Sequence, residues 1–121
     1  MFETVLLATS KVGTFVDGRP LTTGSGFFFE RDEHLFLVTS RHVFIDEPSQ
    51  HMPNRIEVQL HIDADNLAAC VDFSIPLYRD GRSAWRQGED SAGPIDVAVI
   101  EIDRDALPPS AVYRAFTPQH I

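Results

Sequence analysis

Two apolar runs constrain this chain more than anything else in it. They are Gly24-Ser25-Gly26-Phe27-Phe28-Phe29 and Leu35-Phe36-Leu37-Val38-Thr39-Ser40-Arg41-His42-Val43, with the charged Glu30-Arg31-Asp32-Glu33 between them. Aromatic and β-branched residues on either side of a polar break predict a β-hairpin whose strands pack on both faces. The second run delivers His42 at the end of a buried strand, where an imidazole lacking a hydrogen-bond partner costs about 1–3 kcal/mol. A partner stands far along the chain, because Ile95-Asp96-Val97-Ala98-Val99-Ile100 sets one carboxylate at the head of another apolar run.

The remaining segments extend the β pattern. Residues 4–9 predict a first strand that continues through residues 11–16, and Asp17-Gly18-Arg19-Pro20 predicts a turn in which Asp-Gly supplies positive φ. Gly24 and Gly26, inside the first strand of the hairpin, predict a bulge or a close backbone approach. After His42, Val43-Phe44-Ile45 reads as a single helical turn, and residues 46–54, with Pro48 and Pro53, as a surface loop. Residues 55–62 alternate strictly. This places Ile56, Val58, Leu60 and Ile62 on the core side and Arg55, Glu57, Gln59 and His61 toward solvent. Residues 69–77 predict a further strand with Pro76 on an edge or at a bulge. Residues 78–94 are polar, contain Gly81, Gly88 and Gly93, and read as a long loop whose Trp85 plugs one end of the core. Residues 95–102 form the last predicted strand. Six strands with turn signals between them and little helix predict an all-β antiparallel barrel.

Composition narrows the partners. A chain of 121 residues is enough for one well-buried domain and too short for two. The formal net charge of -8 is spread along the sequence, which disfavours nucleic acid and anionic membrane surfaces because both are bound by Lys and Arg. Cys70 is the single cysteine, so no internal disulfide can form. The first residues lack a basic region and a long apolar stretch, and no window is long enough to cross a membrane. A cytoplasmic protein is the default expectation, with the periplasm as the alternative if a leader has been removed.

Gly24-Ser25-Gly26-Phe27, Val38-Thr39-Ser40-Arg41-His42 and Asp96-Val97-Ala98-Val99, in that order, resemble the first half of a trypsin/chymotrypsin-type serine peptidase. The closest kind is the bacterial, disulfide-free one, and the resemblance runs over residues 10–103. It implies a six-stranded barrel over residues 1–103, the first of the family's two, and a connector over residues 104–121 toward a second barrel. It also implies that His42 is the general base and Asp96 the residue that orients it, with a peptide or protein as substrate. Histidine suits the first role because its ordinary pKa of about 6.5 lets it take and release a proton near neutrality. Where extracellular relatives carry a cysteine after the histidine, this chain has Val43.

The nucleophile of such enzymes lies in the second barrel, in a Gly-x-Ser-Gly-Gly-type turn. Nothing after Asp96 resembles it, since Ser110 follows two prolines, while Ser91 precedes the aspartate. Ser25 leads straight into a phenylalanine strand, away from any nucleophile turn. These residues alone are therefore expected to lack peptidase activity, which leaves a fragment of a peptidase or a lone barrel. The alternative from another class is a non-catalytic peptide- or protein-binding module descended from a peptidase, or pairing with itself through the face a second barrel would cover. An unrelated small barrel, in which His42 and Asp96 never meet, is the third reading. His34, His42, His51 and His61 lack the spacing of known metal sites, and no Gly-rich phosphate loop opens a helix, so no metal or cofactor is expected. Cys70 reads as a small core residue.

Overall fold

The computed structural model describes residues 8–66 and 68–118. It is all-β and mainly antiparallel. Its strands are β1 (Thr9–Val16), β2 (Arg19–Arg31), β3 (His34–Thr39), β4 (Arg55–His61), β5 (Cys70–Pro76), β6 (Tyr78–Arg79), β7 (Arg82–Ser83), β8 (Trp85–Asp90) and β9 (Gly93–Ile102). One short helix, α1 (Arg41–Phe44), follows β3. The expected strand over residues 4–7 lies outside the described residues. Among the described residues no helix is long and apolar enough to cross a membrane.

The first two hairpins turn on two residues each. Asp17 and Gly18 have φ of 49° and 82°, and Asp32 and Glu33 have 52° and 69°. Positive φ at both central positions is the geometry whose twist matches paired strands. The polar break read from sequence is thus narrower than it looked, because Glu30 and Arg31 still belong to β2, paired with Leu35 and His34. β2 is long enough to pair with β1 through its first part and with β3 through its second. The register of β1 on β2 shifts between Gly13 and Phe15. There the buried Thr14 hydroxyl accepts the Thr22 N–H at 3.0 Å. The bulge is therefore at Thr14, and of the two outcomes expected for the glycines, a bulge or a close backbone approach, Gly26 shows the close approach. A Cβ on Gly26 would stand 2.8 Å from the Val38 carbonyl oxygen, and one on Gly24 would stand 3.0 Å from Val43 Cγ2.

Seven strands form one sheet in the order β5-β4-β1-β2-β3-β9-β8. Its inner face carries cross-strand rows such as Phe28, Leu37, Ile100 and Trp85, which lie side by side on β2, β3, β9 and β8. Ile56, Val58 and Leu60 on β4, Val12 on β1 and Ile75 on β5 complete the buried cluster. Burial of these side chains is the main driving force, roughly 1.5–3 kcal/mol each. The opposite face of β4 is half-buried rather than open. Arg55 lies over the Phe15 ring at 4.3 Å and pairs with Glu57.

The ladder is open, with β5 and β8 at its ends, so the closed six-stranded barrel expected from sequence is not what the described residues form. The reason lies in residues 78–94, which are strands and turns rather than a loop. β6 and β7 make a hairpin apart from the main sheet, and β8 pairs with β9. Trp85 is the one apolar side chain of β8 and packs edge-on against Phe44 at 5.5 Å. Pro76 ends β5 on the sheet edge. Residues after Ile102 dock on the sheet. The Phe116 N–H donates to the Phe28 carbonyl, the Glu30 N–H donates to the Phe116 carbonyl, and the rings of Phe27 and Phe116 meet at 5.7 Å.

Candidate functional site

α1 begins directly after β3 and holds His42 through its neighbours. Phe44 is wholly buried in the core, Val43 rests against the side-chain-free Gly24, and the Val43 carbonyl accepts the His51 Nε2–H at 2.9 Å. Arg41 reaches outward, donating from Nε to Gln87 Oε1 on β8 at 2.9 Å and pairing with Glu47 at 3.2 Å. The turn is thereby tied to β2, β8 and the loop after it.

From this turn the His42 ring meets Asp96, across 54 residues of sequence. Nδ1 lies 2.7 Å from Asp96 Oδ2, and the His42 backbone N–H donates to Asp96 Oδ1 at 3.0 Å. One residue thus occupies both oxygens of the carboxylate. Because a carboxylate only accepts, Nδ1 carries the hydrogen, and the neutral ring keeps its basic lone pair on Nε2. Among the described residues no hydroxyl is hydrogen-bonded to that nitrogen. The Asp96 carboxyl is held below its ordinary value, first by the His42 ring hydrogen bond, then by the backbone N–H groups of His42 and Arg41 and the His42 charge. Desolvation, second in size only to the ring hydrogen bond, opposes them.

Burial differs from the sequence reading. The side chains of His42 and Asp96 are 64% and 57% exposed. Asp96 shares the inward alternation of Ala98, Ile100 and Ile102, but β3 ends at Thr39, opposite Ala98. Asp96 therefore stands beyond the last paired residue of β3, at the rim. His42 is likewise on an exposed turn rather than inside a strand. The desolvation argument for its partner does not apply, and the hydrogen bonds alone join the two.

Two open depressions flank the pair. One, of about 550 Å³, is lined by Ser25, Phe27, Val38, Thr39, Asp96 and Val97. The other, of about 560 Å³, includes Thr23, Gly24, His42, Val43 and His51.

The other described histidines are dispersed. His34 pairs with Glu101 at 2.7 Å on the surface. His61 is half-buried rather than solvent-facing, and its Nδ1 lies 3.3 Å from Cys70 Sγ on the neighbouring strand. Cys70 is half-buried on the edge strand β5 and stands outside the core cluster to which the sequence reading assigned it. Among the described residues no group of three or more His, Cys, Asp or Glu is arranged to hold a metal ion. Sequence reasoning missed the supports of the site, Arg41 with Gln87 and His51 with Val43. The first spans 46 residues, to Gln87 in a stretch read as loop, and the second spans eight, closing the turn after α1.

No protein-family model, curated protein or solved structure matches the chain.

Proposed function

We propose that this chain is the N-terminal half of a trypsin-like serine endopeptidase, with the nucleophilic serine and its oxyanion donors supplied from outside residues 1–121. The observation that carries the reading is the two-point contact of His42 with Asp96, at 2.7 and 3.0 Å. This contact fixes the ring with its Nε2 lone pair turned away from the carboxylate. In that state His42 takes the proton of a serine hydroxyl attacking a peptide carbonyl and returns it to the leaving amine. Asp96 holds the tautomer and stabilises the imidazolium. The depressed carboxyl keeps Asp96 ionised throughout the neutral range.

The sheet is compatible with a barrel of this type. The Ala84 N–H donates to the Leu77 carbonyl at 2.8 Å, across the base of the β6–β7 hairpin. The end of β5 and the start of β8 are thereby brought together at the base of that hairpin. The exposed rim holding His42 and Asp96 is where a second barrel would seat.

The test is to express the gene through its own stop codon and treat the product with a fluorophosphonate. The expected result is labelling of one serine beyond residue 121, falling by about a thousandfold in His42→Ala. Absence of labelling, or labelling unchanged by His42→Ala, overturns the proposal.

A further inference from the structure

The hairpin of β6 and β7 stands outside the seven-stranded sheet, and every residue of it is exposed. Asp80 and Gly81, with φ of 52° and 75°, form its turn. Arg79 and Arg82 are consequently direct cross-strand partners, and strand alternation puts their side chains on one face. Like charges facing each other across an antiparallel pair destabilise it. Nothing in the fold compensates. Neither guanidinium has an ion-pair or hydrogen-bond partner among the described residues, whereas Arg31, Arg41, Arg55 and Arg104 pair with Asp32, Glu47, Glu57 and Glu30. Arg19 and Arg114 also lack an ion pair among the described residues, so what sets this hairpin apart is that two such arginines face each other across one ladder. Glu101 and Asp103 line the same depression as Arg79 without pairing with it. A further exposed arginine, Arg86, follows on β8 and is also unpaired.

We propose that the Arg79–Arg82 hairpin docks an acidic polypeptide segment, a stretch of Glu or Asp on another protein. Guanidinium groups accept carboxylates in two-pronged fashion, and a carboxylate placed between two facing guanidiniums removes the repulsion that the free hairpin carries. A nucleic acid fits less well, because its continuous charge would run on from the arginines over Asp80, Glu101 and Asp103. The surface shares no residue with the His42–Asp96 pair, so the inference stands or falls apart from the peptidase reading.

The experiment titrates the isotope-labelled chain with an end-blocked hexaglutamate peptide at low ionic strength and follows the backbone amides by NMR. Shifts confined to residues 78–86 are expected, with affinity falling roughly three- to tenfold in Arg79→Ser/Arg82→Ser. Both positions are fully on the surface, and unchanged amide positions elsewhere establish that the variant is folded. Equal binding by the double variant, no binding by the native chain, or tighter binding of hexathymidylate at the same amides would each overturn the assignment.

Discussion

Gly24 and Gly26 sit two residues apart on one strand, yet replacing each with alanine tests different things. A Cβ on Gly26 meets the Val38 carbonyl oxygen at 2.8 Å, Leu37 Cδ1 at 3.1 Å and Thr39 Cβ at 3.4 Å. The first contact is with β3 backbone held between two strands, which cannot retreat without breaking the pairing of Val38 with Phe27 on β2 and with Val99 on β9. Overpacking of this kind costs about 1–3 kcal/mol. Alanine also restricts the unfolded chain and returns about 0.4–1 kcal/mol. Gly26→Ala should therefore lose about 1–2 kcal/mol, read as a lower urea midpoint at unchanged slope. On Gly24 the new methyl meets only Val43, with Cγ2 at 3.0 Å and Cγ1 at 3.5 Å. That neighbour is a side chain on α1, so the strain passes to the turn carrying His42. The net stability cost is smaller, about 0.5–1 kcal/mol, and the Nδ1 proton of His42 should shift in the NMR spectrum. Adding Val43→Ala removes the clash. The cycle of Gly24→Ala with Val43→Ala should show a favourable coupling of about 0.5 kcal/mol or more, while Gly26→Ala with Val43→Ala should be additive. Full stability of Gly26→Ala, or rescue of it by Val43→Ala, would refute the close-approach reasoning.

Two further outcomes follow from named residues. The turn at Asp32 and Glu33 holds two non-glycine residues at positive φ, so Asp32→Asn with Glu33→Gly should raise stability by about 1 kcal/mol, checked by urea unfolding; a loss would mean that this turn is not as described. The Asp96 carboxyl is depressed from its ordinary 3.8, so as pH falls the unfolded chain takes up that proton first. The stabilisation is complete above about pH 5 and disappears as pH drops through the folded-state value. Asp96→Ala should accordingly cost about 0.5–1 kcal/mol at pH 6, the range of an exposed ion pair. It should cost less at about pH 2.5, because the stabilisation is lost as pH falls through the depressed folded-state value. A cost that does not change between those two values contradicts the assignment.

What could be read from the sequence was whatever depends on local periodicity. The alternation of β4 shows as buried Ile56, Val58 and Leu60, and Asp17-Gly18 marks its own turn. β8 was hidden because a strand on the sheet edge needs little apolar surface, and Trp85 is its only apolar member. The docking of Phe116 on β2 was hidden for another reason, since its hydrogen bonds join residues far apart in the chain. At the site, residue identities came from motif order, and the exposure of the pair was misjudged. Alternation says which way Asp96 points but not where β3 stops beside it, and the end of β3 sets its burial.

That exposure changes how the pair must be understood. An ion pair open to water is worth about 1 kcal/mol or less and does not by itself hold two side chains in one geometry. Here the geometry is set from the backbone. Phe44 is sunk in the core, Val43 seats against Gly24, His51 holds the Val43 carbonyl, and the His42 N–H grips the same carboxylate that the ring does. The fold thus builds the arrangement before anything covers it. Covering it would strengthen the contact several-fold, because the same charges interact more strongly once water is excluded. Under the proposed reading, a pair aligned in advance and left in water is what half of an active site should look like. On that reading the alignment belongs to this chain, and the low dielectric that would give it catalytic value would come with a second barrel.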